Sequence, residues 1–86
     1  MEAKRNNLLE ITKSIAGNER VMESTEFANS FLIKRGGGNF QPHILVNFFT
    51  NRITLRSSGY AGEALRLGEA YEEMYGKVYY NKRLSR

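Results

Sequence analysis

The side chains with the most chemistry to offer recur at alternate positions of one β-rich stretch. If residues 27–58 are extended, Lys34, Gln41, His43, Asn47, Arg52, Thr54 and Arg56 fall on one face of a sheet, with Arg35 at a loop edge. Arginine and amide groups form bidentate bonds to base edges, lysine and threonine hold phosphates, and a β-ribbon fits a major groove. This is the chemistry of a sheet that binds DNA. Arginine and threonine are equally ordinary on the solvated face of an antiparallel sheet. Leu32, Leu45 and Phe49 share the face, which also fits a protein interface or cover by a helix.

Other constellations carry less. The chain has no cysteine, which excludes a disulfide framework, a thiolate zinc site and a cysteine nucleophile together. His43 is the single histidine and has no second histidine or cysteine with which to share a metal or a proton relay. Glu69, Glu72 and Glu73 read as a solvated helix face, on which Glu69 and Glu73 mildly repel. Gly36-Gly37-Gly38 lacks the lysine-serine ending and the strand-to-helix context of a phosphate loop, so it reads as a hairpin tip. Gly59-Tyr60-Ala61-Gly62 does stand between a strand and a helix start, where free amides can hold an anion. Tyr71, Tyr75, Tyr79 and Tyr80 could stack on bases, but their spacing equally suits packing. No catalytic residue, metal site or cofactor is expected.

These side chains need elements to position them. Leu8, Ile11 and Ile15, flanked by Leu9, predict a helix over residues 3–16, stopped by Gly17 and Asn18. Residues 18–26 are polar apart from Val21 and Met22 and read as a connector. Three strands follow, with turns at residues 36–39 and at Thr50-Asn51. A two-residue turn pairs Phe48 with Ile53, Val46 with Leu55 and Ile44 with Ser57, gathering the apolar side chains on one face. A four-residue first loop opposes Phe31 to Ile44 and Ile33 to Pro42. Pro42, lacking a donor, belongs at a strand start. Ala64, Leu67, Tyr71, Met74 and Val78 form the stripe of a second helix over residues 60–75, with Gly76 as its stop. Gly62 and Gly68 weaken that helix unless a close packing contact requires them.

The expected architecture is therefore α+β, a helix, a three-stranded antiparallel meander and a C-terminal helix packed on one sheet face, in the order α-β-β-β-α. One domain spans 1–86: a helix and connector (1–25), the sheet (26–58), a helix (59–80) and a basic, frayed tail (81–86). An 86-residue chain with 41% hydrophobic and 26% charged residues is globular in composition. Its net charge of +4 favours an anionic partner. No apolar run approaches the ~18 residues of a membrane span, and no signal-peptide core follows the amino terminus, which together imply a cytoplasmic protein without membrane contact.

The stretch Lys34-Arg35-Gly36-Gly37-Gly38-Asn39-Phe40, then Asn51-Arg52-Ile53-Thr54-Leu55, Ala70-Tyr71 and Gly76-Lys77-Val78-Tyr79-Tyr80-Asn81, resembles the APETALA-type and integrase-arm DNA-binding domains. That resemblance implies a three-stranded sheet backed by one helix and inserted into the major groove, with Arg35, Gln41, His43, Arg52 and Arg56 contacting DNA. The order of elements is also similar to that of the double-stranded RNA-binding domain. Gly59-Tyr60-Ala61-Gly62-Glu63, however, stands where the lysine cluster of that domain would lie.

The function expected is non-catalytic nucleic-acid binding, DNA favoured over RNA, through Lys34, Arg35, Gln41, His43, Asn47, Arg52, Thr54 and Arg56. The alternative is a small phage or mobile-element protein that binds and inhibits a host protein such as a defence nuclease complex, as anti-CRISPR proteins do. It would dock through Glu63, Glu69, Glu72 and Glu73, or through Leu45 and Phe49. An exposed strand edge would also let two copies pair as a homodimer.

Overall fold

The computed structural model describes residues 2–24, 27–34, 42–56 and 58–81, excepting the side chains of Pro42 and Ser58. The chain runs α1 (Glu2–Ala16), β1 (Val21–Glu23), β2 (Ser30–Lys34), β3 (Pro42–Asn47), β4 (Arg52–Leu55), α2 (Ala61–Tyr75) and β5 (Tyr79–Asn81). Short 3-10 turns lie at Asn18–Arg20 and Ser58–Tyr60. The class is α+β, but among the described residues the sheet has five strands in the order β1-β2-β3-β4-β5, not three. It is antiparallel except between β4 and β5, which α2 joins in parallel. No helix among the described residues is long and apolar enough to cross a membrane.

Alternation along the strands divides the sheet into two faces. Phe31, Ile33, Ile44, Val46, Phe48 and Ile53 point to one side and form a single core with Leu8 and Ala16 of α1 and Ala64, Leu67 and Tyr71 of α2. The buried stripe of α1 is Leu8, Thr12 and Ala16, rotated from the expected Leu8, Ile11, Ile15 stripe. Ile11 and Ile15 pack at its margin. The Thr12 hydroxyl donates to the Leu8 carbonyl at 2.6 Å, so its one proton is committed and the Tyr71 hydroxyl must donate to Thr12 Oγ1.

Both hairpin registers differ from expectation by two residues. Ile44 faces Leu55, and Val46 faces Ile53; Phe31 faces Val46, and Ile33 faces Ile44. A shift of two preserves the faces. Its cause at the second turn is Asn47, whose Oδ1 accepts the amides of Phe49 (2.9 Å) and Thr50 (3.0 Å). The loop therefore takes in Phe48 to Asn51 and closes through Asn51 at φ 56, a conformation asparagine tolerates. Between β2 and β3 the register slips by one at Lys34, which faces Pro42 and leaves His43 as the extra residue of a bulge.

Two edge strands replace what reads as the connector and as the end of the C-terminal helix segment (59–80). Val21–Glu23 pairs with β2, and Arg5 of α1 forms an ion pair with Glu23. At the other edge Gly76, at φ 91, ends α2 with its amide on the Glu72 carbonyl. Val78 then enters the core not as part of the helix but just before β5, while Met74 of the expected stripe is exposed. The Tyr79 amide donates to the Asn51 carbonyl at 2.8 Å, which starts the parallel pairing.

Tyr80 explains one glycine. A Cβ on Gly68 would stand 1.8 Å from the Tyr80 hydroxyl and 2.9 Å from its ring, whereas one on Gly62 meets nothing within 4 Å. Gly68→Ala is therefore expected to destabilise by dislodging Tyr80, despite a helix-propensity gain of up to ~1 kcal/mol. In a Tyr80→Ala background the same change should stabilise. Urea denaturation of the four proteins checks this, and Gly68→Ala with the same sign in both backgrounds would refute the contact.

Burial also raises the Tyr71 hydroxyl above its ordinary value of 10.0. Because folding raises it, the unfolded chain ionises first, so Tyr71's contribution to stability is complete below pH 10.0 and is lost as pH rises above that value. Tyr71→Phe should cost about 1 kcal/mol at neutral pH through the lost bond to Thr12. It should also flatten the alkaline loss of stability, in part only, because burial raises Tyr80 too. An equally steep alkaline loss in Tyr71→Phe would exclude Tyr71 as its source.

Candidate nucleic-acid interface

With α1 and α2 on one side, the other side of the sheet is left without a helix among the described residues. Its side chains form rows across the strands. Met22, Leu32, Leu45, Thr54 and Asn81 make the central row, from the pairings Met22 with Leu32, Leu32 with Leu45, Leu45 with Thr54 and Thr54 with Asn81. Ser30, Asn47, Arg52 and Tyr79 make a second row. Lys34, the His43 bulge and Arg56 lie at the opposite end, where the Arg56 amide donates to the His43 carbonyl at 2.8 Å.

The expected site residues divide on this face. Arg52 and Arg56 are exposed, Arg52 at the start of β4 and Arg56 at the bend just past its end. Lys34 is half-buried. Thr54 shares the face but retains only 8% exposure between its neighbours in the central row, too little for a phosphate contact. Asn47 spends its carbonyl oxygen on the turn, which leaves its amide nitrogen for a ligand. His43 does not stand free. Its ring stacks on Tyr60 with centroids 4.4 Å apart, and its Nε2 is buried with no hydrogen-bond partner among the described residues. Arg35, Gln41, the Gly36-Gly37-Gly38 tip and the tail beyond Asn81 lie outside the described residues.

One arginine holds this end of the sheet to both helices. The guanidinium of Arg20 takes both Glu63 carboxylate oxygens, at 2.7 and 2.9 Å, from the first turn of α2. It also donates to the Lys34 carbonyl at 2.8 Å and the Ala16 carbonyl at 3.0 Å. Its centre lies 5.8 Å from the Tyr60 ring centroid, so the series Arg20, Tyr60, His43 continues from helix to bulge. The Glu63 bond raises the Arg20 pKa further, keeping it charged. The anion-holding reading of Gly59 to Gly62 loses ground here, because this helix start already has Arg20 and Glu63 as its charge pair.

Sequence reasoning offered Tyr79 as a residue that could stack on bases but set it and Lys77 on the C-terminal helix segment, not on this face. Tyr79 is 47% exposed and lies beside Arg52 in the β4–β5 pairing. Its ring centroid is 5.8 Å from the Arg52 guanidinium and 5.6 Å from Lys77 Nζ. The available signal was Gly76: a helix that stops there frees the following residues to form a strand. Elsewhere, an open depression of about 330 Å³ is lined by Ile15, Arg66, Glu69, Ala70 and Glu73. Among the described residues no cluster of His, Asp or Glu is arranged to hold a metal ion. No family model, curated protein or solved structure matches the chain.

Arg20→Ala should cost about 2 kcal/mol or more, since Glu63 would remain largely buried without its partner. Arg20→Lys should recover little, because an ammonium cannot replace a planar fork shared among a carboxylate and two carbonyls. Chemical denaturation measures both; full recovery by lysine would mean that charge alone, not the fork, matters.

Proposed function

We propose that the protein is a non-catalytic nucleic-acid-binding module, with DNA its favoured ligand, acting through the helix-free face of its sheet. The observation that carries this reading is the charge of that face. No Asp or Glu occurs between Glu26 and Glu63, a stretch that includes Lys34, Arg35, Arg52 and Arg56. Glu23, the one acid on a described strand, points to the helix side, where Arg5 holds it. A broad surface with cations and, among the described residues, no acids attracts a polyanion and releases its counterions. Arg52 and Arg56 hold phosphates or base edges, and Asn47 Nδ2 offers a further donor.

A second reading, a small protein that docks on and inhibits a protein partner, has its own support. Met22, Leu32 and Leu45 lie side by side on the same face, and Phe49 is 61% exposed at its margin. The acidic side of α2 supports that reading less: Glu63 is engaged by Arg20, and Glu72 accepts the Val78 amide at 3.3 Å.

Fluorescence anisotropy with labelled DNA, single- and double-stranded, over a range of salt concentrations tests the proposal. Each phosphate contact contributes roughly −0.7 to −0.9 to the log-log salt slope, so Arg52→Ala with Arg56→Ala should flatten it by about 1.5 to 2 and weaken binding. Unchanged affinity in the double variant would remove these arginines from the site. No binding of either DNA at low salt would remove the nucleic-acid reading and leave the protein partner.

A further inference from the structure

The width of the sheet bears on which form of nucleic acid it can take. Neighbouring strands lie ~4.8 Å apart, so five of them spread over roughly 19 Å. A major groove is about 12 Å wide and admits a helix or a two-stranded ribbon. The face of a sheet this broad meets a duplex only across its ridges, which leaves the central row of Met22, Leu32 and Leu45 with no base to touch. A single strand has no such restriction, since it can lie across the strands with its bases turned down onto the protein.

Tyr79 provides the stacking surface such a strand requires. It is half exposed, stands on an edge strand, and is the aromatic member of the row that holds Asn47 and Arg52. Its two cations, 5.8 and 5.6 Å from the ring centroid, are near the ~6 Å outer limit of a cation–π contact. At that distance a ring face can be given up to a base while both charges stay in place for the phosphates on either side. The central row runs from Asn81 and Thr54, nearest this ring, to the apolar Leu45, Leu32 and Met22 farther across the sheet, along the path such a strand would take.

We propose that the ligand of this face is single-stranded nucleic acid, with a base stacked on Tyr79 and the flanking phosphates held by Arg52 and Lys77; this rests on reading the face as a nucleic-acid surface. Stacking is sequence-tolerant because every base has a π-face, so the specificity is for strandedness rather than for a base sequence.

Three labelled probes test it by anisotropy: a short oligothymidylate, a strand of the same length lacking bases, and a duplex. The oligothymidylate should bind about tenfold or more tighter than the other two. Tyr79→Phe should keep that affinity, whereas Tyr79→Ala should lose roughly tenfold to a hundredfold on oligothymidylate and almost nothing on the baseless strand. Duplex binding as tight as single-strand binding, or an equal loss by Tyr79→Ala on both strands, overturns the inference and leaves the nucleic-acid reading intact. Failure of all three probes at low salt overturns that reading itself. Should Tyr79→Ala fail to fold, the unaltered protein still decides: equal affinity for the oligothymidylate and the baseless strand overturns the stacking proposal.

Discussion

Apolar material for only one covered sheet face governs this molecule. Phe31, Ile33, Ile44, Val46 and Ile53 are each exposed by 2% or less, and both helices are needed to cover them. Thr12 and Tyr71 show how closely that interface is filled, because a hydroxyl pair is accepted there only with every proton assigned. With α1 and α2 committed to one side, neither helix covers the other side. Its half-buried leucines and exposed arginines follow from that geometry.

The ends of the sheet are tied by polar groups that do several jobs each. Arg20 joins the end of α1, the end of β2 and the first turn of α2. At the other end Lys4 Nζ donates to Asn51 Oδ1 at 2.6 Å, while the Asn51 carbonyl receives the Tyr79 amide. Asn51 thus closes the β3–β4 turn, holds the start of α1 and starts β5 beside β4. The position of Tyr79 against Arg52 depends on this residue, which also donates from Nδ2 to the Lys77 carbonyl at 3.4 Å.

Alternation and helical periodicity were enough to find both helices, the three central strands and the faces of those strands, because burial imposes those periods directly. The registers were not legible, since the deciding bonds come from the Asn47 side chain and from a bulge at His43, neither of which leaves a hydrophobic pattern. The two edge strands were hidden for a different reason. Val21–Glu23 and Tyr79–Asn81 are too short for a period of two to be read, and each is extended only because a longer strand offers it a ladder. Thr12 and Ala16 reverse the usual expectation for polar and small residues: Thr12 is buried with both its proton and its oxygen satisfied, by the Leu8 carbonyl and the Tyr71 hydroxyl of α2, while Ile11 and Ile15 stay at the core margin.

Those edge strands change the meaning of the candidate site more than they change the fold class. On a three-stranded sheet Arg52 and Arg56 would occupy an edge strand, free to slide into a groove with Thr54 between them. With β5 in place Arg52 becomes an interior member of a wider surface while Arg56 stays just past the end of β4, Thr54 is closed in by Asn81 and Leu45, and an aromatic ring enters the row of Arg52. Charge alone attracts any polyanion; on the proposed single-strand reading, the added ring and breadth are what would let the surface discriminate, because they reward exposed bases and gain nothing from a closed helix.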